Sequence, residues 1–444
     1  MSAQRARLPL TAAQSWVWYA QNADPDNPVY KAAEYIDIDG SIDLSLLRSA
    51  VRQAVEDTGA LRARFGADED GTPWQEVVDQ LSWPFPVVDL RQAADPWTAA
   101  REWMSTDLER PMDLTSAPLF SFAVLRISEQ RSLVYFGVHH VLLDGYGLAL
   151  FLQRVAEVYS ALEQDQQVPP STLGTLAQLV EDDLQYQRSE RFVQDRQFWM
   201  EQLAGVTEIV TPAGDRPAAT ARSFLRETET VPGPVADRLR ALARRARSSL
   251  PTVAMAAFGL YVHRVTRADD LLLELVVSGR QGPVARGVPG MLTSAPPLRV
   301  QMHPGITVGE LLRETAVRAR GVLQHQRYPS MYLPADLGLA GIGDVPEPAA
   351  INIMGYSGNL HFGEHRVRSN NISNGSVENL TVNLYDRADD GSLRVDFNAN
   401  PELYGPEENA LQLREYVQLL TELADTEPDQ PVNRVGARPT AVAG

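Results

Sequence analysis

An apolar run that ends in two adjacent histidines and leads into a long amphipathic helix is the strongest constraint in this sequence. The run "RSLVYFGVHH" (residues 131–140) is rich in β-branched and aromatic residues, which favours a buried strand. After "VLLD", the stretch "GYGLALFLQRVAEVYSALEQ" (residues 145–164) has apolar residues at helical spacing. A strand, a short turn and a helix in this order predict mixed α/β structure.

Strand and helix patterns alternate in both halves of the chain. "LFSFAVLRIS" (residues 119–128) is separated from the strand at 131–140 by only two residues, which predicts an antiparallel pair. "NLTVNLYD" and "SLRVDFNAN" (residues 379–386 and 392–400) predict a second hairpin in the C-terminal half. The sequence therefore predicts an α/β (α+β) fold with two lobes of similar kind.

The chain has 444 residues, which exceeds the length at which one hydrophobic core usually keeps growing. The stretch "DQQVPPSTLG" (residues 165–174) interrupts the pattern of strands and helices. We therefore predict an N-terminal lobe at 1–168 and a C-terminal lobe at 169–435. The Pro-, Gly- and Ala-rich end at 436–444 is predicted to be a linker or tail.

Composition narrows the function class. The net charge of −17 argues against nucleic acid as a partner. There is no run of 18 apolar residues and no secretory signal, so we expect a cytoplasmic protein with no membrane partner. The sequence contains no cysteine, which excludes disulfides, a thiol nucleophile and a Cys-based zinc site.

The histidine pair and the aspartate after it form a candidate catalytic motif. Because successive strand residues point to opposite faces, one of His139 and His140 should face the interior and the other an opening. Asp144 precedes the predicted helix, where backbone N–H groups hold a carboxylate. Gly145 and Gly147 are predicted to let a substrate approach the backbone. One imidazole beside a helix N-terminus suits acyl transfer without a metal.

The residues alone leave three other interpretations open. Two adjacent histidines can be a structural pair with satisfied hydrogen bonds. A His-x3-Asp metal site is a second interpretation, although the chain has seven histidines and no second cluster of ligands. A Ser–His–Asp hydrolase is a third, but the sequence has no Gly-x-Ser-x-Gly nucleophile motif.

The motif "HHVLLDG" (residues 139–145) resembles the signature of condensation domains from nonribosomal peptide synthetases. Further stretches resemble other motifs of this family in the same order, over about residues 8–435. The resemblance is strongest to the first condensation domains of enterobactin-type siderophore synthetases and of lipopeptide synthetases. The stretches that carry it are "LPLTAAQSWVW" (8–18), "TGALRARF" (58–65), "GVPGMLTSAPPLRV" (287–300), "QHQRYPSMYLPADLG" (324–338) and "INIMGYS" (351–357).

The resemblance implies a fold and a set of partners. The two lobes would each be like chloramphenicol acetyltransferase and would form a V, with the active site at the lobe interface. Donor and acceptor carrier proteins would each present a phosphopantetheine arm, and no cofactor or metal would be bound. We also expect a monomer and an adjacent adenylation domain.

The resemblance also implies residue roles around the motif. His140 would be catalytic and would orient the acceptor amine, take its proton or stabilise the tetrahedral intermediate. His139 would be its inward-facing structural partner. Asp144 would pair with Arg280, and the Gly145 N–H would face the oxyanion.

Four further residues are expected at the substrate passages. Thr293 and Ser294 would line the acceptor site, and Trp16 and Val17 would lie near a tunnel mouth. Ser294 replaces an asparagine that is common in the family. Asn379 likewise stands where relatives often carry aspartate, so details of the acceptor site differ.

The implied reaction is amide formation between an acyl thioester and the amine of a carrier-bound amino acid. Because only seven residues precede Leu8, we expect the acyl donor (aryl, fatty or aminoacyl) to arrive on a separate protein. The alternative is a free-standing condensation enzyme or acyltransferase that forms an ester or amide with a soluble acceptor or an acyl-CoA donor. An epimerisation domain shares the motif but needs a second acid/base, and no Glu-Gly-His stretch is present.

Overall fold

The protein is described by a computed structural model that covers residues 7–206, 208–216, 220–338, 347–355, 360–386 and 390–436. The chain divides into two compact units. Unit 1 comprises the described residues within Met1–Phe192, Ser278–Thr293 and Gly358–Ser376. Unit 2 comprises those within Val193–Val277, Ser294–Ser357 and Val377–Gly444.

Fifteen strands and twelve α-helices are formed by the described residues. The strands are β1 (Leu8–Pro9), β2 (Lys31–Asp39), β3 (Ala63–Ala67), β4 (Pro73–Val77), β5 (Val87–Asp89), β6 (Phe120–Ser128), β7 (Arg131–His139), β8 (Leu225–Val231), β9 (Asp270–Leu275), β10 (Pro297–Gln301), β11 (Ala350–Met354), β12 (His361–Phe362), β13 (His365–Asn374), β14 (Leu380–Tyr385) and β15 (Leu393–Ala399). The helices are α1 (Ala12–Ala23), α2 (Leu44–Asp57), α3 (Pro96–Leu108), α4 (Gly145–Glu163), α5 (Leu176–Gln187), α6 (Glu190–Gln202), α7 (Gly233–Arg245), α8 (Leu250–Thr266), α9 (Gly282–Gly287), α10 (Val308–Gln324), α11 (Leu333–Asp336) and α12 (Pro406–Ala424).

Unit 1 contains a six-stranded sheet in the order β12-β13-β2-β7-β6-β5 and a small sheet in the order β1-β4-β3. The predicted antiparallel pair is confirmed, because β6 and β7 pair from Phe120↔Val138 onward. Alternation along β7 explains how the large sheet is buried on both faces. Val134, Phe136 and Val138 belong to a core cluster that includes α2 and α4, whereas Leu133 and Tyr135 pack in a cluster that includes α3.

Strand β13 belongs to unit 1 although it lies late in the sequence. It pairs antiparallel with β2 from Val367↔Ile38 to Asn374↔Ala32, with an irregularity between Asn371 and Ser373. The predicted lobes were the continuous ranges 1–168 and 169–435. Unit 1 is instead discontinuous in sequence, because it includes β13. The residues 169–192 and 278–293 also belong to unit 1. As lobe limits, the sequence boundaries stay a prediction.

Unit 2 contains a second six-stranded sheet, in the order β10-β9-β11-β14-β15-β8. The predicted hairpin partners β14 and β15 pair antiparallel from Leu380↔Ala399 to Tyr385↔Arg394. Residues 387–389 of their connection lie outside the described residues. Both units therefore combine a mixed sheet with helices, and the predicted α/β fold class is confirmed. The V-shaped arrangement stays a prediction.

Candidate active site

The connection from β7 to α4 places the histidines and the aspartate. Three apolar residues between them, Val141, Leu142 and Leu143, are all 0% exposed. Leu142 N–H also donates to the carbonyl of His139 at 3.0 Å, which closes the turn. Because three consecutive buried side chains anchor the connection, the polar residues on either side of it are held in fixed positions.

His139 is a buried, neutral imidazole. Its Nδ1 accepts a hydrogen bond from the Val141 N–H at 3.2 Å, and its Nε2 lies 2.8 Å from Gln21 Oε1. Gln21 directs its Nε2 to the carbonyls of Asp24, Pro25 and Asn27, so its Oε1 is an acceptor. His139 therefore carries its proton on Nε2. Burial, with smaller contributions from His140 and Lys31, lowers its pKa to about 3.

His140 is only partly buried, unlike its neighbour. Its N–H donates to the Tyr30 carbonyl at 2.8 Å, which fixes the backbone beside β2. Within the described part of the chain, its buried Nδ1 has no hydrogen bond of normal geometry. Burial lowers the pKa of His140 below its ordinary 6.5, and Asp144 and the backbone carbonyls of His140, Asn374 and Leu143 oppose that shift. The imidazole is therefore neutral near pH 7.

Asp144 is buried and accepts four hydrogen bonds. Its Oδ1 accepts from the Gly147 N–H and from Arg280 Nη2, both at 2.7 Å. Its Oδ2 accepts from the N–H groups of Leu292 and Thr293, both at 3.0 Å. The carboxylate caps α4 and holds the segment around residues 290–293 against it, so its contacts are architectural.

Arg280 forms a fully buried ion pair with Asp144, with the two side chains 1% and 0% exposed. Arg280 also donates to two backbone carbonyls, from Nη1 to Ala285 at 3.2 Å and from Nη2 to Gly290 at 3.0 Å. Its guanidinium lies 4.7 Å from the centroid of the Tyr146 ring. These contacts tie the loop after Arg280 to the start of α4.

The two glycines at the start of α4 have different surroundings. A Cβ added to Gly145 would have nothing within 4 Å, so the backbone there borders open space. A Cβ added to Gly147 would lie 2.8 Å from the carbonyl oxygen of Gly290 and 2.9 Å from its nitrogen. The prediction that Gly147 leaves room for a substrate is therefore wrong, because this glycine allows the helix and the loop to approach each other.

The different surroundings of Gly145 and Gly147 predict different effects of alanine substitution on stability. We expect Gly147→Ala to lower the free energy of unfolding by about 1–3 kcal/mol, because its methyl group would press on the Gly290 backbone. Gly145→Ala is the matched control in the same helical turn and should change stability by less than about 0.5 kcal/mol. Urea unfolding followed by circular dichroism measures both. Equal effects of the two substitutions would contradict the close approach.

The four residues expected at the substrate passages occupy different environments. Trp16 is 42% exposed and packs edge-on against Tyr30, whereas Val17 is 1% exposed within the core of unit 1. Val17 is therefore buried, and its place near a tunnel mouth stays a prediction. Thr293 is partly buried and donates its N–H to Asp144. Ser294 is partly buried in unit 2, with its Oγ 3.4 Å from the Gln326 carbonyl.

Asn379 has a structural environment in unit 2. Its Oδ1 accepts from the Tyr404 hydroxyl at 2.6 Å, and its Nδ2 donates to the Glu347 carbonyl at 3.0 Å. An amide can make both contacts, whereas an aspartate at this position would have no donor for the carbonyl. Asparagine in place of the family's aspartate therefore allows residue 379 to bond both Tyr404 and the Glu347 carbonyl.

Two residues near the histidines were not found from the sequence. Gln21 orients His139, and Gly375 lies against His140, where a Cβ would be 2.7 Å from the ring Cδ2. No local motif marks either position. Gln21 lies on the buried face of an amphipathic helix. An amide is unusual on such a face, and this is the signal that could have pointed to Gln21.

Two further properties concern the described part of the chain. It contains no group of three or more His, Cys, Asp or Glu side chains that could hold a metal ion. Among the helices formed by these residues, none has the length and apolarity needed to cross a membrane.

Comparison with known proteins agrees with this geometry. A family model described as Condensation domain matches residues 4–441. The isonitrile lipopeptide synthase of Streptomyces coeruleorubidus is 38% identical over 97% of this chain, and the dimodular nonribosomal peptide synthase of Bacillus subtilis is 36% identical over 93%. The chain spans only 29% and 17% of the length of these two relatives.

Solved structures show the same relationship at the level of the fold. The starter condensation domain of rhizomide synthetase, in a complex with C8-CoA and Leu-SNAC, superposes with a TM-score of 0.89. It is 34% identical in sequence, and the alignment covers 96% of each chain. The chain therefore belongs to the condensation domain family of nonribosomal peptide synthetases and is an acyltransferase that forms amide bonds.

Proposed function

We propose that the chain condenses an acyl thioester on a donor carrier protein with the amine of an aminoacyl thioester on an acceptor carrier protein. The observation that carries this proposal is the neutral, partly exposed imidazole of His140 beside a fully bonded Asp144. Each substrate would be attached to a phosphopantetheine arm. The family and the relatives named nonribosomal peptide synthases support this choice of partners.

His140 is the catalytic residue in this proposal. The amine nitrogen attacks the thioester carbonyl carbon, so a C–N bond forms and the C–S bond breaks. The nitrogen loses one proton to the imidazole, and the imidazolium gives this proton to the departing thiolate, which becomes the free phosphopantetheine thiol. A neutral imidazole is needed for the first transfer, and burial keeps His140 neutral by lowering its pKa.

Three groups would assist His140. The N–H of Gly145 lies at the N-terminus of α4, where helix N–H groups favour negative charge, and open space adjoins it. We assign it to the oxyanion of the tetrahedral intermediate. His139 and Asp144 are positioning residues, because their hydrogen bonds go to protein groups.

The donor in this proposal is a fatty acyl group on a separate carrier protein. Support comes from the solved starter condensation domain that was captured with C8-CoA, and from the lipopeptide synthase relative. We assign Thr293, Ser294 and Trp16 to the surroundings of the two substrates. We also propose that an adenylation domain loads the acceptor carrier, and the relatives named as peptide and lipopeptide synthases support this partner.

Intact-mass spectrometry of carrier proteins tests the proposal. The purified chain is mixed with one aminoacyl-loaded acceptor carrier and, in separate reactions, with fatty-acyl, aryl and aminoacyl donor carriers. The proposal expects the acceptor carrier to gain the mass of the fatty acyl group while the donor carrier loses it. Transfer from the aryl or aminoacyl donor alone would contradict the assigned donor, and no transfer from any donor would contradict the function.

A second candidate is direct use of acyl-CoA. The complex of the rhizomide starter domain with C8-CoA favours it, because a CoA thioester carries the same pantetheine arm. The same assay with C8-CoA and a free amino acid distinguishes the two. Efficient acylation of the free amino acid would favour an acyltransferase that needs no carrier protein.

The pH dependence of condensation follows from the lowered pKa of His140. The imidazole accepts a proton only in its neutral form, so the contribution of His140 to the rate should be complete near pH 7 and be lost as pH decreases through its pKa. Because that pKa lies below 6.5, the acid limb should lie below pH 6.5. Single-turnover rates measured across this range, with circular dichroism at each pH to verify folding, check the prediction. An acid limb below pH 6.5 that remains unchanged in His140→Ala would contradict it.

A further inference from the structure

We propose that the turn Ser373–Gly375 positions the imidazole of His140, and that the Ser373 hydroxyl holds this turn in place. The inference rests on the proposed function, since it concerns how the catalytic residue is held. It assigns a role to a segment far from the histidine motif in sequence and beside it in unit 1.

Gly375 contacts the edge of the His140 ring. A Cβ added to Gly375 would lie 2.7 Å from Cδ2, 3.6 Å from Nε2 and 3.7 Å from Cγ of that ring. The residue has a φ of +90°, a conformation that favours glycine. The bare backbone at this position therefore forms one wall against which the imidazole lies.

Ser373 connects this wall to the central sheet. Its Oγ donates to the Lys31 carbonyl at 2.7 Å and accepts from the Gly375 N–H at 3.2 Å. The side chain is 2% exposed, so water does not readily replace these bonds. One hydroxyl thus links β2 to the turn that contacts His140.

The backbone of His140 is fixed to the same part of β2. Its N–H donates to the Tyr30 carbonyl, one residue before the carbonyl that Ser373 contacts. Lys31 is also the residue opposite His139 in the pairing of β2 with β7. Both the backbone of His140 and the wall beside its ring therefore depend on residues 30–31, and Ser373 is the side chain that joins the two.

The turn also bears on the protonation of the ring. Backbone carbonyls of Asn374 and Leu143 act on the His140 ring as acceptors. Because Asn374 lies in the turn, its carbonyl opposes the lowering of the His140 pKa that burial causes. Movement of the turn would therefore change both the position of the imidazole and its pKa.

Ser373→Ala tests this role, with Ser369→Ala as the matched control. Ser369 lies on the same strand and pairs opposite Ile36 of β2, and its Oγ donates to Glu34 Oε2 at 2.6 Å. We expect Ser373→Ala to lower kcat about 10- to 100-fold with acceptor KM changed less than about threefold, because the ring is misplaced while substrate binding is kept. Ser369→Ala should retain the wild-type kcat. Ser373→Thr keeps the hydroxyl and should recover most of the loss.

A spectroscopic measurement gives a readout that does not depend on turnover. In protein labelled with ¹⁵N histidine, the resonances of His140 are identified by their absence in His140→Ala. Their chemical shifts should be the same in the wild type and in Ser369→Ala, and should differ in Ser373→Ala, because the wall beside the ring has moved. Gly375→Ala, which presses directly on the ring, should also shift them.

The outcomes separate this inference from the function it rests on. If the wild type condenses carrier-bound substrates and Ser373→Ala has the same kcat and the same His140 resonances, the positioning role is wrong and the function stands. If Ser373→Ala loses activity only through a higher KM, the role is also wrong. Failure of the wild type to transfer the acyl group would refute the proposed function, and the resonances would still report on the turn.

Discussion

His140→Ala is expected to lower the single-turnover rate of condensation by about 10²- to 10⁴-fold, the range typical for loss of an acid/base group. The physical reason is that the imidazole is the neutral, partly exposed base beside the turn that leads to α4, with the Asp144 carboxylate committed to other groups. Rapid-quench measurement of acceptor carrier acylation, with both carriers saturating, gives the rate directly.

A surface histidine provides the control for this experiment. His303 is 55% exposed and lies near Glu314 in unit 2, so His303→Ala should leave the rate unchanged. Circular dichroism should show that His140→Ala is folded, because the backbone N–H of residue 140 and its bond to Tyr30 remain. A folded His140→Ala protein with the wild-type rate would show that the imidazole takes no part in the reaction.

Asp144→Ala is expected to have a large effect of a different kind. It would remove the acceptor of four hydrogen bonds and leave the buried guanidinium of Arg280 without its counter-ion. Loss of one partner of a buried ion pair costs about 3–5 kcal/mol, so we expect the free energy of unfolding to fall by that amount. Chemical unfolding followed by tryptophan fluorescence measures it.

Two variants keep this test decisive. Asp144→Asn retains one acceptor oxygen but places a donor against backbone N–H groups, so its loss should be intermediate and measurable even where the alanine variant does not fold. Asp425→Ala breaks an exposed ion pair, in which the side chains of Arg238 and Asp425 are 46% and 64% exposed. It should lower the free energy of unfolding by less than about 1 kcal/mol. Similar losses for Asp144→Ala and Asp425→Ala would mean that the buried pair does not stabilise the unit.

Local pattern was sufficient to predict the centre of the site. The apolar run of β7 and the apolar spacing of α4 predicted a strand, a turn and a helix, and the structure has them at Arg131–His139 and Gly145–Glu163. Asp144 was predicted at the start of the helix, and its carboxylate accepts from the Gly147 N–H. These features depend on side-chain periodicity and helix capping, which act over a few residues.

The strand that brings Ser373 and Gly375 beside His140 was not predicted. The sequence of β13, "HRVRSNNISN", is polar and lacks the alternation that marks a half-buried strand. It is a strand because its backbone pairs with β2, far away in the sequence. Only the fold brings these residues together, so no local pattern indicated that Gly375 contacts the catalytic ring.

The role of Gly147 and the burial of Val17 could not be assigned from sequence for a related reason. A glycine near a helix start suits substrate approach and close packing equally, and only the position of the Gly290 backbone decides between them. Val17 lies on a helix whose exposed and buried faces both carry large side chains, since Trp16 next to it is 42% exposed. The distinction required the packing of α1 against unit 1.

The reaction that we assign to this chain joins an acyl group to the amine of a carrier-bound amino acid. The decisive measurement is the intact mass of the acceptor carrier protein after reaction with a fatty-acyl donor carrier, with the acceptor loaded either with an unmodified amino acid or with the same amino acid acetylated on its amine. We expect that only the acceptor with the free amine gains the acyl mass, and that hydroxylamine then releases the amino acid from its thioester with the acyl group still attached as an amide. Equal gain by both acceptors, or no gain by either, would contradict it.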